Sequence, residues 1–140
     1  MQLYSDPGTS FVRDFLGRWI KLSGTVVERR GKEARVLLAD GTNLVVSGAL
    51  RAADNSVVLA VRPERVGIVP GELARPENAI SATIKTLLFI GRAFEAKLIL
   101  SDGTALVIDL PPTENWAEGQ TIWLSIPSDE VGVWPSEDLP

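Results

Sequence analysis

The chain has 140 residues, 45% of them hydrophobic and 23% charged, with 14 Lys+Arg against 18 Asp+Glu and a formal charge of −4. It contains no Cys and no His, which excludes disulfides, thiolate nucleophiles, zinc or haem ligation by those side chains and every imidazole acid–base scheme. The charge is divided unevenly, +3 over residues 1–70 and −7 over residues 71–140, so the two halves offer unlike surfaces.

Along the chain, Asp6-Pro7-Gly8 reads as a turn, Ser10 as a helix N-cap and Gly17 as a helix stop. Between them Phe11, Val12, Phe15 and Leu16 share one helical face, while Arg13 and Asp14 point away. A two-turn helix is unstable alone, so it is expected to dock, either on the β unit that follows or on a domain outside this chain.

From there the chain repeats itself. Arg35-Val-Leu-Leu-Ala-Asp-Gly-Thr-Asn-Leu-Val-Val46 lies over Lys97-Leu-Ile-Leu-Ser-Asp-Gly-Thr-Ala-Leu-Val-Ile108 at an offset of 62, with six of twelve positions identical. Leu22-Ser-Gly-Thr-Val26 corresponds to Ile80-Ser-Ala-Thr-Ile84 if the second copy carries four extra residues in its first turn. Val58 to Pro63 corresponds to Ile122 to Pro127, and Val66-Gly-Ile68 to Val131-Gly-Val133. The expected organisation is a linker and short helix at 1–19, copy one at 20–69, a connector at 70–78, copy two at 79–134 and a tail at 135–140. Pro70, Gly71 and Pro76 mark the connector.

Each copy centres on a hairpin, because Asp40-Gly41 and Asp102-Gly103 suit tight turns between antiparallel strands. Gly31 and Gly91 end a preceding strand of about ten residues by the same hairpin logic. Gly24 stands where a bend would help so long a strand close a small barrel, although Ala82 fills that place in copy two. The strands before the turns are apolar at successive positions, which suggests burial on both faces. The fold class predicted is all-β: tandem OB-like small barrels formed by an internal repeat, with a short N-terminal helix.

Asp6-Pro-Gly-Thr-Ser-Phe-Val-Arg-Asp-Phe-Leu-Gly17 resembles the segment that leaves the nucleotide-binding domain in ATP-binding subunits of ABC importers. Val61-Arg-Pro-Glu-Arg-Val-Gly-Ile68 resembles the Arg-Pro-Glu signature of their C-terminal regulatory region. The paired copies are similar to the transport-associated OB (TOBE) domains of maltose-, iron- and spermidine/putrescine-type importers. The resemblance implies a regulatory domain that keeps two ATPase subunits associated. Its implied partners are the nucleotide-binding domain of the same subunit, a second copy of the chain in a homodimer, and membrane permease subunits reached through the parent. It also implies a cytoplasmic location at the inner face of the membrane, with ATP and Mg belonging to the parent subunit. The chain itself carries no Gly-x-x-x-x-Gly-Lys-Ser/Thr phosphate loop, so no ATP hydrolysis is expected from it. It reads as the C-terminal piece of such a subunit, cut just before the linking helix.

Several residues are candidates for a role. Arg62 and Glu64 bracket Pro63 and suit either anchoring at a sheet edge or contact with another subunit. Trp116, in a Pro-rich loop, suits either plugging the barrel mouth or touching a partner, whereas Trp123 is expected in the core and Trp134 to close the last strand. Phe11 and Phe15 are the candidates for a domain interface. A second function class is a small-ligand sensor for an oxyanion or metabolite, with Ser81, Thr83 and Lys85, or Ser23 and Thr25, as binding residues. A nucleic-acid surface is not expected, because aromatics are 6% and the basic turn Arg29-Arg30-Gly31-Lys32 runs directly into Glu33.

Overall fold

The computed structural model describes residues 19–47 and 55–135. The predicted helix, with Phe11 and Phe15, lies outside these residues. Among those described, ten strands carry the fold: β1 (Ile20–Arg30), β2 (Glu33–Leu38), β3 (Asn43–Ser47), β4 (Ser56–Val61), β5 (Gly67–Pro70), β6 (Ala79–Phe89), β7 (Phe94–Leu100), β8 (Ala105–Leu110), β9 (Thr121–Ser125) and β10 (Gly132–Pro135). A 3-10 turn at Pro63–Arg65 separates β4 from β5. The expected all-β, OB-like architecture is what forms.

The strands build two antiparallel five-stranded sheets, ordered β10-β4-β1-β2-β3 and β5-β9-β6-β7-β8. Each sheet is the body of one compact unit. The units are not the sequence copies. The chain leaves the first unit between Arg62 and Pro63 and returns to it between Ile126 and Pro127. The last strand of each copy therefore completes the sheet of the other: β5 pairs with β9 through Gly67↔Ser125, and β10 with β4 through Gly132↔Ala60. Both departures occur at a proline, which has no N–H to continue a ladder and forces the preceding residue into extended backbone.

Burial alternates strictly where the sequence left it open. In β2, Ala34, Val36 and Leu38 are buried while Glu33, Arg35 and Leu37 face outward, Leu37 being 38% exposed. The expectation of two buried faces is thus corrected. In β2 one face packs into the core and every second residue turns outward, whereas Leu59, Ala60 and Val61 at the end of β4 are buried in succession. Ile20, Leu44 and Leu59 fill the first core and Ile80, Ile84, Leu98, Leu110, Ile122 and Leu124 the second, all nearly inaccessible. Each such side chain contributes about 1.5–3 kcal/mol by its removal from water. No polar side chain is buried among the described residues.

The repeat is reproduced atom for atom at the central hairpins. Thr42 N donates to Asp40 Oδ1 at 2.9 Å, and Thr104 N to Asp102 Oδ1 at 3.0 Å. Leu38 accepts from Gly41 N at 3.0 Å and Leu100 from Gly103 N at 2.9 Å. Both glycines sit at φ 90, a conformation that side chains with a Cβ rarely adopt. The first strand of each copy also bends at one register. The extra residue is Val27 in β1 and Lys85 in β6. Gly24 is therefore not the bend. It lies three residues earlier, in regular pairing with Leu38 and Val57, and its lack of a side chain serves a close approach instead. A Cβ there would stand 2.5 Å from Val36 Cγ1 and 3.0 Å from Leu37 O.

Candidate functional site

The residues singled out in the sequence fall into separate places. Arg62 follows β4 directly, and the β1–β4 register, ending at Ile20↔Val61, sets it beside Trp19. Its guanidinium lies over the Trp19 ring at 5.3 Å from the centroid. Arg62 is thus held on an aromatic face, a contact worth about 0.5–1 kcal/mol at an exposed site. Glu64 is exposed on the 3-10 turn, which closes through Val66 N donating to Pro63 O at 3.2 Å. Arg62 and Glu64 thus occupy the point where the chain passes from one unit to the other.

The connector is fixed to the second unit by a similar device. Arg75 lies over Trp123 at 5.6 Å and donates to Ala79 O at 2.8 Å, while Trp123 Nε1 donates to Leu73 O at 3.3 Å. Trp123 is half-buried rather than in the core, because the β9 alternation turns Ile122 and Leu124 inward and Trp123 outward under the connector. Gly71 begins this segment with its N–H donating to Thr121 O at 3.0 Å; a Cβ on Gly71 would fall on that same carbonyl oxygen. Asn78 ends it at φ 54, the left-handed region that Asn tolerates, and exchanges hydrogen bonds with Ile126 through Nδ2 and its carbonyl, at 2.8 and 2.9 Å.

Trp116 is half-buried in its own loop. Its Nε1 donates to Pro111 O at 2.7 Å, five residues back, which ties off the loop between β8 and β9. Gln120 Oε1 accepts from Ala117 N at 3.0 Å, and Gly119 N donates to Ile84 O at 2.7 Å, so the loop is laid along β6. Trp134 is half-buried in β10 opposite Val58, at the end of the last strand as expected.

Ser81 and Thr83 share the outer face of β6 opposite Trp123 and Thr121, and Lys85 is exposed at the bulge. The three are spread along one strand. Among the described residues no three Asp or Glu side chains are grouped to hold a metal.

One feature escaped the sequence reading. The four residues by which copy two exceeds copy one lengthen the β6–β7 hairpin, and their neighbourhood is apolar: Leu88 is 61% exposed and Phe89 55%. Phe89 packs on Phe94 at the tip with ring centroids 5.2 Å apart. The signal that could have found it is the Leu87-Leu-Phe-Ile90 run beside that insertion.

A family model for the TOBE domain matches residues 59–134. Over 135 residues the chain is 28% identical to a spermidine/putrescine import ATP-binding protein of Ruegeria pomeroyi, covering 94% of this chain and 36% of that protein. It is 32% identical over 108 residues to a protein of the same description from Rubrobacter xylanophilus, covering 75% and 28%. It is 27% identical over 139 residues to an sn-glycerol-3-phosphate import ATP-binding protein of Salmonella choleraesuis, covering 98% and 37%. The chain thus spans about a third of the length of these curated relatives. Among solved structures, the cytoplasmic molybdate-binding protein ModG superposes with a TM-score of 0.67 at 20% identity, over 86% of this chain and 96% of that one, a likeness of fold.

Proposed function

Because the chain belongs to the TOBE domain family, we propose that it acts as the C-terminal regulatory and dimerisation domain of the ATP-binding subunit of an ABC-type importer, in the spermidine/putrescine branch. The observation that carries the reading is coverage: the Ruegeria relative and a second spermidine/putrescine import ATP-binding protein, from Pseudomonas aeruginosa, each align with 94% of this chain yet with only 36% of their own length. The match takes in both copies and the connector, as expected for a whole accessory domain appended to a larger ATPase. In this reading ATP and Mg are held by the parent's nucleotide-binding domain, and the permease subunits are met through that parent. The chain's own residues supply rigidity. Each unit has its own apolar core with no polar side chain buried among the described residues, and aromatic rings hold Arg62 and Arg75, which suits appended units that keep their own fold.

The test is a graft. This chain replaces the matching portion of the Ruegeria spermidine/putrescine import subunit, and ATP-dependent spermidine uptake is measured in vesicles with its permease. Uptake well above that of the truncated subunit is expected. Uptake equal to the truncated subunit overturns the assignment.

A further inference from the structure

The two copies treat one edge of their first strand differently. β9 flanks β6 only as far as Thr83↔Thr121, after which Gly119 N donates to Ile84 O at 2.7 Å and Ile84 N to Gln120 O at 2.8 Å. Beyond the bulge at Lys85 no strand among the described residues lies on that side. The hairpin determines which backbone groups point there. Ile90 N donates to Ala93 O at 2.9 Å, so the next pair, Phe89↔Phe94, exchanges no bonds, and the N–H and C=O of Phe89 are directed away from β7. The same alternation directs Leu87 outward, and its N–H donates to Glu118 Oε2 at 3.3 Å. At the matching registers copy one carries Glu28, Arg29 and Arg30, because Arg29 faces Ala34 as Leu87 faces Ala96. Charged side chains of this kind keep an open edge from pairing with another chain. Copy two has Thr86, Leu87 and Leu88 instead, and its extra residues extend the edge with Phe89 and Ile90. Phe89 packs against Phe94 on one face of the arm, and Leu88 projects from the other.

We propose that the open edge of β6, from Leu87 to Phe89, takes up an extended peptide segment of another protein as an added strand, apolar at alternate positions and basic at the end that meets Glu118. Backbone pairing with Leu87 and Phe89 supplies the attraction, and the side chains of Leu88 and Phe89, on opposite faces, pack against successive side chains of the incoming strand. Charge selects the basic end. The loop at residues 111–120 holds Glu114 and Glu118 and no Lys or Arg. The cation of β6 itself, Lys85, stands at the bulge where the edge begins, and Arg92 at the turn is engaged by Asp109 at 3.8 Å. An incoming carbonyl takes over the Leu87 N–H, which releases the Glu118 carboxylate to a cation of the partner.

Titration of the full isotope-labelled chain with the synthetic peptide acetyl-Lys-Thr-Val-Thr-Val-Thr-Lys-amide, followed by NMR, tests it. Saturable shifts of the Leu87 and Phe89 amides are expected, with exchange of the Phe89 amide slowed at least fivefold at saturation. The same peptide with Glu in place of Lys is expected to bind at least tenfold more weakly. Glu118→Gln keeps an acceptor for the Leu87 N–H and is expected to remove most of that difference. Phe89→Pro deletes the outward N–H and leaves the ladder to β7 intact, and Leu87→Arg installs the residue that copy one carries at this register. Each is expected to weaken binding at least tenfold, whereas Leu73→Ser, in the connector, is expected to change nothing. The absence of saturable shifts at millimolar peptide overturns the proposal, as does binding that survives both Phe89→Pro and Leu87→Arg. A Phe89 amide already protected in the free chain assigns the edge to a segment of the chain itself and likewise overturns it. Equal binding of the Lys and Glu peptides overturns the basic partner.

Discussion

Gly24 and Ala82 occupy equivalent registers in the two units, opposite Leu38 and Leu100, and exchanging their side chains gives opposite perturbations at one place in the fold. Gly24→Ala adds a methyl that stands 2.5 Å from Val36 Cγ1, 3.0 Å from Leu37 O and 3.1 Å from Leu38 Cδ2. Val36 is inaccessible and β-branched, so its χ1 is stiff, and the Leu37 oxygen is backbone. Overpacking of this kind costs about 1–3 kcal/mol. Because the φ of Gly24 is not in the left-handed region, the unfolded-state benefit of removing a glycine, about 0.4–1 kcal/mol, applies in full and reduces the loss. The net expectation is a destabilisation of about 1–2 kcal/mol. Ala82→Gly deletes a buried methyl, worth about 0.8 kcal/mol, and adds the strand-glycine cost of about 0.5–1 kcal/mol. Both changes therefore destabilise, although one adds what the other removes. Urea unfolding followed by fluorescence checks this, since the first unit holds Trp19 and Trp134 and the second Trp116 and Trp123. With a urea slope of about 1–3 kcal/mol per molar, each midpoint is expected to fall by roughly 1 M or somewhat less. A Gly24→Ala midpoint equal to or above that of the wild type refutes the packing argument.

Gly71→Ala sets a Cβ on the Thr121 carbonyl and is expected to cost about 1–3 kcal/mol, read as a lowered unfolding midpoint of the second unit. Asp40→Ala and Asp102→Ala each remove the acceptor for a turn amide and are expected to cost about 0.5–1.5 kcal/mol, adding nearly independently in the double variant on thermal melting. Trp116→Phe keeps the ring but loses the bond to Pro111 O. Faster hydrogen exchange of the Ala117 and Gly119 amides is expected, with a global loss of no more than about 1.5 kcal/mol. Arg62→Ala exposes the Trp19 ring and is expected to shift its emission to the red at a cost of about 0.5–1 kcal/mol.

The duplicated Asp-Gly-Thr hairpin, the long first strands ending at Gly31 and Gly91, and the all-β class were legible because a repeat in sequence is a repeat in register. The side-chain period in a strand then fixes which residues meet. Which copy donates its last strand to which sheet was not legible. Val66-Gly-Ile68 and Val131-Gly-Val133 are alike, so either sheet accepts either strand locally, and only the chain's path after Pro63 and Pro127 decides. Trp123 was misplaced because an apolar strand of five residues does not declare its inward side; Ile122 and Leu124 took it. Arg62 was read as either a sheet-edge anchor or a partner contact, and its Trp19 neighbour was not legible because it lies 43 positions away in the chain and is brought to it only by the β1–β4 register. Leu88 and Phe89 were passed over because exposure is a property of the folded surface, and an apolar run carries no mark of it.

The reciprocal loan of β5 and β10 has a consequence for biosynthesis. When a ribosome has delivered β1 to β4, their sheet still has a bare margin along β4, and it stays bare until more than seventy further residues have emerged and β10 arrives. A nascent chain in that condition offers a ready template to any other extended segment, including the β10 of a neighbouring polysome product. Severing the polypeptide in the connector would likewise leave two halves, each lacking a ribbon that the other holds.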